Sequence, residues 1–152
     1  MSSHSRVNTG LGLYIHPNAD FRLFSYIASS PSESVSLAQP MDTSTFVLGL
    51  RKAAKEFALA INVGIHVPAE GGKLCNRSCW INEKGEIEGF YDKLHLFDYG
   101  ALKESSSVAA GKTIVSPIHT VVGRVGLTIC FDVISLPRIR IPSSDMIQAS
   151  VS

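Results

Sequence analysis

The sequence lacks an excess of charge of either sign. Its 152 residues carry 14 Lys and Arg against 13 Asp and Glu, a formal net charge of +1. So small an imbalance gives no electrostatic case for nucleic acid or an acidic surface as a partner. Long hydrophobic runs are also missing, and no stretch approaches the ~20 apolar residues that span a bilayer. No membrane partner is expected. The first six residues include one arginine, but no long apolar segment follows, so no secretory signal is expected either. Cysteine is scarce. Cys75, Cys79 and Cys130 are an odd set without the density of a disulfide framework. A reducing, intracellular location fits best, cytoplasmic with mitochondrial as the alternative. Cys75 and Cys79 have neither a second cysteine pair nor a tight histidine pair to complete four zinc ligands, so no metal site is expected.

What is present is ordinary core material. Hydrophobic residues make up 45% of the chain, enough for one domain or a piece of a larger one. Residues 11–15 form a short apolar run that ends at His16 and Pro17, as a buried strand entering a loop does. Asp20 can cap a helical segment with Phe21, Phe24, Ile27 and Ala28 on one face. Residues 29–41 are rich in Ser and Pro and read as an exposed loop. The clearest helix runs from 43 or 44 to 58, with Phe46, Leu50, Ala53, Ala54 and Phe57 as its apolar face. Arg51, Lys52, Lys55 and Glu56 make its solvated side. Residues 60–67 then read as a strand. Residues 74–80 and 86–91 read as a hairpin turned by Asn82-Glu83-Lys84-Gly85. If the segment after Tyr91 stays extended, Lys93 and His95 share a face. A polar loop over 101–111 holds Lys103 and Glu104, and 113–122 is another strand region. The chain reads as α/β (α+β), neither a bundle nor a repeat array.

The chain is organised around Gly123-Arg124-Val125-Gly126-Leu127-Thr128-Ile129-Cys130-Phe131-Asp132. Val125, Leu127 and Ile129 supply β-propensity, and the glycines mark the turn leading in. Cys130 closes the apolar run. A thiol at the end of a buried strand has a rigid support from which to reach a cleft, which makes it a candidate nucleophile. The alternative is a small core residue, the usual role of a lone cysteine in an apolar strand.

Three blocks taken together extend this reading: Tyr91-Asp92-Lys93-Leu94-His95-Leu96-Phe97-Asp98, Leu102-Lys103-Glu104-Ser105, and the 123–132 strand. In this order they resemble the nitrilase (carbon–nitrogen hydrolase) superfamily, most of all its fungal Nit-type amidases of deaminated glutathione and their ω-amidase relatives. The likeness covers about 11–132. It implies a four-layer αββα sandwich and a Glu–Lys–Cys triad with a second glutamate beside it. By this resemblance Cys130 is the nucleophile. Its thiolate attacks an amide carbonyl, expels ammonia and leaves a thioester for water to cleave. Lys93 favours the thiolate and, with the backbone N–H of Phe131, stabilises the oxyanion. Glu104 matches the second glutamate and orients Lys93. The implied substrate is a small carboxylate-bearing amide, and the implied assembly is a homodimer. No cofactor is implied, because the thiolate and the lysine handle the charge.

The sequence departs from the family pattern in three places. The general-base glutamate belongs where Asn18 stands, in Pro17-Asn18-Ala19-Asp20-Phe21. An amide accepts no proton at neutral pH, and losing a general base costs about 10²–10⁴ in rate. His95 is a conceivable substitute. After Asp132 the family's Arg-Phe-Pro-Glu block is replaced by a segment with Pro137 and Pro142, followed by a polar, non-periodic tail. The expected domain plan is a tail over 1–10, a partial hydrolase domain over 11–132 and a divergent tail over 133–152. With a sandwich incomplete at both ends, the chain reads as a truncated or mis-spliced member, marginally stable alone. Three functions follow: a thiol amidase, a catalytically inactive relative acting as a binding or pseudo-subunit, or a fragment without a role of its own.

Overall fold

The computed structural model describes residues 30–120, 123–132 and 146–151. The expected strand over 11–15, the helical segment after Asp20, Asn18 itself and residues 133–145 lie outside the described residues.

The first described element is a helix, α1 (Pro31–Leu37), where a loop was expected. Ser30 Oγ accepts from the Glu33 backbone N–H at 3.2 Å, and Pro31 occupies the first turn, where its missing N–H costs nothing. Helix α2 (Thr45–Phe57) starts at Ser44, whose hydroxyl accepts from Val47 N at 3.4 Å. It stops at Ala58, which takes the left-handed conformation (φ 48°) that usually falls to glycine. Its buried face is Val47, Leu50 and Ala54. Phe57, expected on that face, is exposed, because it lies in the last turn beyond the sheet-covered stripe.

Strands β1 (Ile61–Pro68), β2 (Leu74–Ile81) and β3 (Ile87–Asp92) form an antiparallel sheet in the order β1-β2-β3. The β2–β3 turn has the expected chemistry. Asn82 Oδ1 accepts from Lys84 N and Glu86 N, both at 2.9 Å, and Gly85 takes φ 76°. A Cβ at Gly85 would also collide with the Arg51 carbonyl oxygen, so the turn packs against α2 only as glycine. Two-residue strands β4 (Asp98–Tyr99) and β5 (Leu102–Lys103) make a small hairpin. The last sheet joins β6 (Ile118–Thr120), β7 (Gly123–Ile129) and β8 (Met146–Val151). β6 is antiparallel to β7. β8 runs parallel to it, with Val125 opposite Ile147 and Ile129 opposite Val151. The tail read as polar and non-periodic therefore contains a strand.

Side-chain alternation along the strands sorts these elements into layers. Ile61, Ile65 and Val67 of β1, with Cys79 and Ile81 of β2, pack under Val47, Leu50 and Ala54 of α2. Trp80 of β2 and Tyr91 of β3 point to the opposite face, onto Val125, Leu127 and Ile129 of β7. The order is helix, sheet, sheet, as the αββα expectation requires for its first three layers. Removing one of these contacts, as in Leu50→Ala, costs about 2–5 kcal/mol.

Candidate active site

Strand β7 delivers its cysteine through a strained turn. Cys130 follows directly on Ile129 and takes φ 47°, a left-handed conformation that costs a non-glycine residue about 1–2 kcal/mol. The turn lifts Cys130 out of the buried row Leu127-Thr128-Ile129 and leaves it exposed. It is not a core residue, which removes the bland reading of this thiol.

Asp132 holds the turn in place. It is 0% exposed and accepts from four donors. Oδ2 accepts from the Tyr91 hydroxyl at 2.8 Å and the Ile129 backbone N–H at 3.3 Å. Oδ1 accepts from the His95 backbone N–H at 2.9 Å and lies 2.9 Å from His95 Nδ1. Because a carboxylate only accepts, Nδ1 is assigned the proton in this pair. Burial, then the bond to Asp132, pushes the Tyr91 phenol above its ordinary value. Tyr91 and His95 stand two residues to either side of Lys93. Asp132 stands two residues beyond Cys130. The clamp therefore ties the lysine segment to the cysteine turn. The edge of one ring against the face of the other, Phe97 on Phe131 with centroids 5.6 Å apart, continues the seam.

Lys93 is 4% exposed, and its Nζ donates to Glu104 Oε2 at 2.7 Å. The same oxygen accepts from Phe97 N at 2.7 Å. Lys93 N donates to the Asn76 carbonyl at 2.9 Å, which fixes the start of the segment to β2. The extended geometry expected for 93–97 is not found. The chain bends at Leu94 and His95, so Lys93 turns inward while the His95 side chain is 39% exposed. A buried ammonium is tolerated only when paired, and Glu104 is its pair. Glu104 opens a short 3-10 turn (Glu104–Ser106) directly after β5, and that turn aims the carboxylate back at Lys93.

Sequence reasoning placed Lys93, Glu104 and Cys130 in the site, and the structure pairs the first two and lifts the third onto an exposed turn. It gave Asp132 no role beyond its motif, and it missed Tyr91. The signal was a carboxylate closing an apolar strand, which must find donors wherever it is buried. It also missed His66 on β1. His66 Nδ1 is buried without a partner, and desolvation by burial lowers the imidazole's affinity for protons, opposed by the Glu104 carboxylate nearby. Among the described residues, no cluster of three or more His, Cys, Asp or Glu could hold a metal ion, and no helix is long and apolar enough to cross a membrane. Cys79 is buried against Met41, and its thiol is pushed up to about 11.

The structure thus joins a strained cysteine turn to a buried lysine–glutamate pair on helix-sheet-sheet layering. Comparison with known sequences gives the family. The profile of the carbon-nitrogen hydrolase family matches residues 15–146, and the chain belongs to that family. It is 36% identical over 115 residues to the Schizosaccharomyces pombe protein named "Probable hydrolase nit2", an alignment covering 71% of this chain and 42% of that one. The deaminated glutathione amidase of Mus musculus is 31% identical over 120 residues, covering 72% of this chain and 36% of that one. The Caenorhabditis elegans NitFhit structure superposes with a TM-score of 0.64 at 30% identity, over 70% of this chain and 28% of that one. An amidase mutant from Nesterenkonia sp. AN1, with an acetamide moiety bound covalently at its active-site cysteine, shares the fold at TM-score 0.58 and 18% identity, over 69% of this chain and 39% of that one. The chain thus spans less than half the length of the relatives it matches.

Proposed function

We propose that this chain carries the nucleophile, lysine and second glutamate of a thiol amidase acting on a small carboxylate-bearing amide of the deaminated glutathione type. One observation supports this most. The ammonium of Lys93 is buried, paired with Glu104 at 2.7 Å, and lies on a segment clamped to the Cys130 turn through Asp132. A fixed cation in a site of low dielectric stabilises both a thiolate and the oxyanion that forms when the thiolate attacks a carbonyl. In this reading Cys130 forms the thioester, the Phe131 N–H assists the oxyanion, and Glu104 holds Lys93 in its aim. The substrate class is taken from the deaminated glutathione amidases it resembles. The free thiols at 75, 79 and 130 support a reducing compartment, cytoplasmic or mitochondrial. Assembly as a homodimer and the hydrolase-domain span of 11–132 are further parts of the proposal.

The test is hydrolysis of deaminated glutathione and of dicarboxylic acid monoamides by the wild type, Cys130→Ala and Asn18→Glu. Turnover in the wild type that vanishes in Cys130→Ala supports the proposal. Asn18 favours a second reading, a relative that binds such an amide without turning it over. Binding without product in the wild type, with turnover appearing in Asn18→Glu, would establish that reading instead.

A further inference from the structure

We propose that His66 and Asn76 complete a subsite beside the Lys93–Glu104 pair, one that takes an uncharged amide group of the substrate and refuses a carboxylate. The proposal rests on the thiol-amidase reading. The strand registers place the residues. His66 of β1 stands opposite Asn76 of β2, and Ser78 and Arg77 of β2 stand opposite Tyr91 and Asp92 of β3. The next pair in that register is Asn76 with Lys93, and Lys93 N donates to the Asn76 carbonyl at 2.9 Å. Residues directly opposite one another share a face, and so do residues two apart on one strand. Ile65 and Val67 face α2, so His66 between them faces away from it. Tyr91 points the same way, onto β7, and Lys93 lies two residues beyond it. His66, Asn76 and Lys93 therefore form one row across the inner face of the sheet, with neighbouring Cβ atoms about 4.5–5.5 Å apart.

The row lies toward the end of β7. Two rows earlier, a Cβ at Gly89 would meet Ile118, the strand partner of Val125. One row earlier, the Tyr91 hydroxyl and the Ile129 N–H meet on Asp132 Oδ2. Moving along β3 from Gly89 to Tyr91 thus follows β7 from Val125 to Ile129. The next step along both reaches Lys93 on one side and the Cys130 turn on the other.

The polar groups of this row are unspent. The His66 imidazole is half-buried, and its Nδ1 is buried without a partner. Among the described residues the Asn76 carboxamide makes no hydrogen bond, and Glu104 spends Oε2 on Lys93 Nζ and Phe97 N but leaves Oε1 free. Lys93 has three N–H donors and one partner for them. Polar groups held in a half-buried face without partners cost free energy until something engages them. Charge selects what that is. The Lys93–Glu104 pair carries no net charge, Asn76 carries none, and desolvation by burial favours the neutral imidazole of His66 against the pull of Glu104. N–H donors of Lys93 and Asn76 beside the Oε1 acceptor are the complement of a planar carboxamide, whose oxygen accepts and whose N–H2 donates. The imidazole adds a donor or an acceptor according to its tautomer. A carboxylate of the same shape has no hydrogen for Oε1 and sets a like charge against it.

The test is titration of the 15N-labelled wild-type chain with propionamide and with propionate, one shape without and with the charge. The readouts are the Asn76 side-chain N–H2 and the His66 ring nitrogens by 1H–15N correlation, with ammonia release assayed in the same samples. Propionamide should move both sets of signals saturably, and propionate at the same concentration should move neither. Asn76→Ser and His66→Gln should each weaken propionamide binding about 5-fold, the scale of one neutral hydrogen bond. Signals that move equally with the two probes, or with neither, overturn the proposal. Ammonia released from propionamide while both sets of signals stay in place also overturns it and leaves the amidase reading standing. Signals that move with propionamide alone, in a chain that releases no ammonia, support the subsite and remove the amidase reading. The wild-type titration decides even if neither variant folds.

Discussion

Asp132→Ala is the perturbation that loads the account most heavily. The carboxylate is fully buried and accepts from Tyr91 Oη, Ile129 N, His95 N and His95 Nδ1 at 2.8–3.3 Å. The half-exposed imidazole regains water when the carboxylate goes. The other three donors do not. Leaving a buried donor unpaired costs about 1–3 kcal/mol, and breaking up a buried charged cluster costs about 3–5 kcal/mol in all. Against a typical stability of about 5–15 kcal/mol, the expected loss of about 3–5 kcal/mol is large. Asp132→Asn keeps one acceptor oxygen and should lose about 1–3 kcal/mol. The assay is urea unfolding followed by fluorescence of the single tryptophan, Trp80, which packs beside Tyr91. Tyr91→Phe adds a check. In the wild type it removes a made hydrogen bond and destabilises. In Asp132→Ala the hydroxyl keeps only the bond it accepts from Leu94 N at 3.3 Å, so its removal should cost less by at least about 1 kcal/mol, the coupling between the two. A loss below about 0.5 kcal/mol for Asp132→Ala, or additive Tyr91→Phe and Asp132→Ala effects, would refute the clamp.

Three further outcomes are expected. Burial raises the Cys79 thiol from 9.0 to about 11 in the folded chain, so the native state keeps a proton that the unfolded chain loses. Its contribution is fully present below pH 9 and is lost as pH rises toward 11, so unfolding measured across that window should show a falling stability whose slope is reduced in Cys79→Ala. His66→Leu removes a half-buried imidazole whose buried Nδ1 has no partner; thermal unfolding should show it no less stable than wild type, whereas a loss above about 1 kcal/mol would mean that Nδ1 is paired in solution. Gly85→Ala places a Cβ against the Arg51 carbonyl at φ 76° and should cost about 1–3 kcal/mol, read as a shift in urea midpoint.

Much of this architecture was legible in residue order. The β2–β3 hairpin followed from Asn82 and Gly85, because that turn's chemistry is local. Strand β7 followed from Val125, Leu127 and Ile129, whose alternation needs no partner to be recognised. Helix α1 carries a local signal too. Ser30-Pro31-Ser32-Glu33 is a helix-start signal, but the Ser- and Pro-rich composition around it suggested a loop. Strand β8 was not legible, since Met146–Val151 has no alternation of its own and takes its form from parallel pairing with β7. In the site, the Lys93–Glu104 pair emerged from the resemblance alone. Nothing local in 93–104 says that a loop carboxylate turns back on a lysine eleven residues earlier. The bend at Leu94 and His95 was equally hidden, because Asp132, 37 residues away from His95, imposes it. The left-handed Cys130 carries no local signal, since glycine or asparagine is the residue usually found there.

The measurement that tests the central claim most directly is an acid quench of the wild-type chain during reaction with deaminated glutathione, followed by peptide mass spectrometry. The account predicts an acyl group on the peptide containing Cys130, labile to hydroxylamine and absent in Cys130→Ala. Product formed with no acyl group ever trapped on Cys130, or an acyl group found on Cys75 or Cys79 instead, would contradict it.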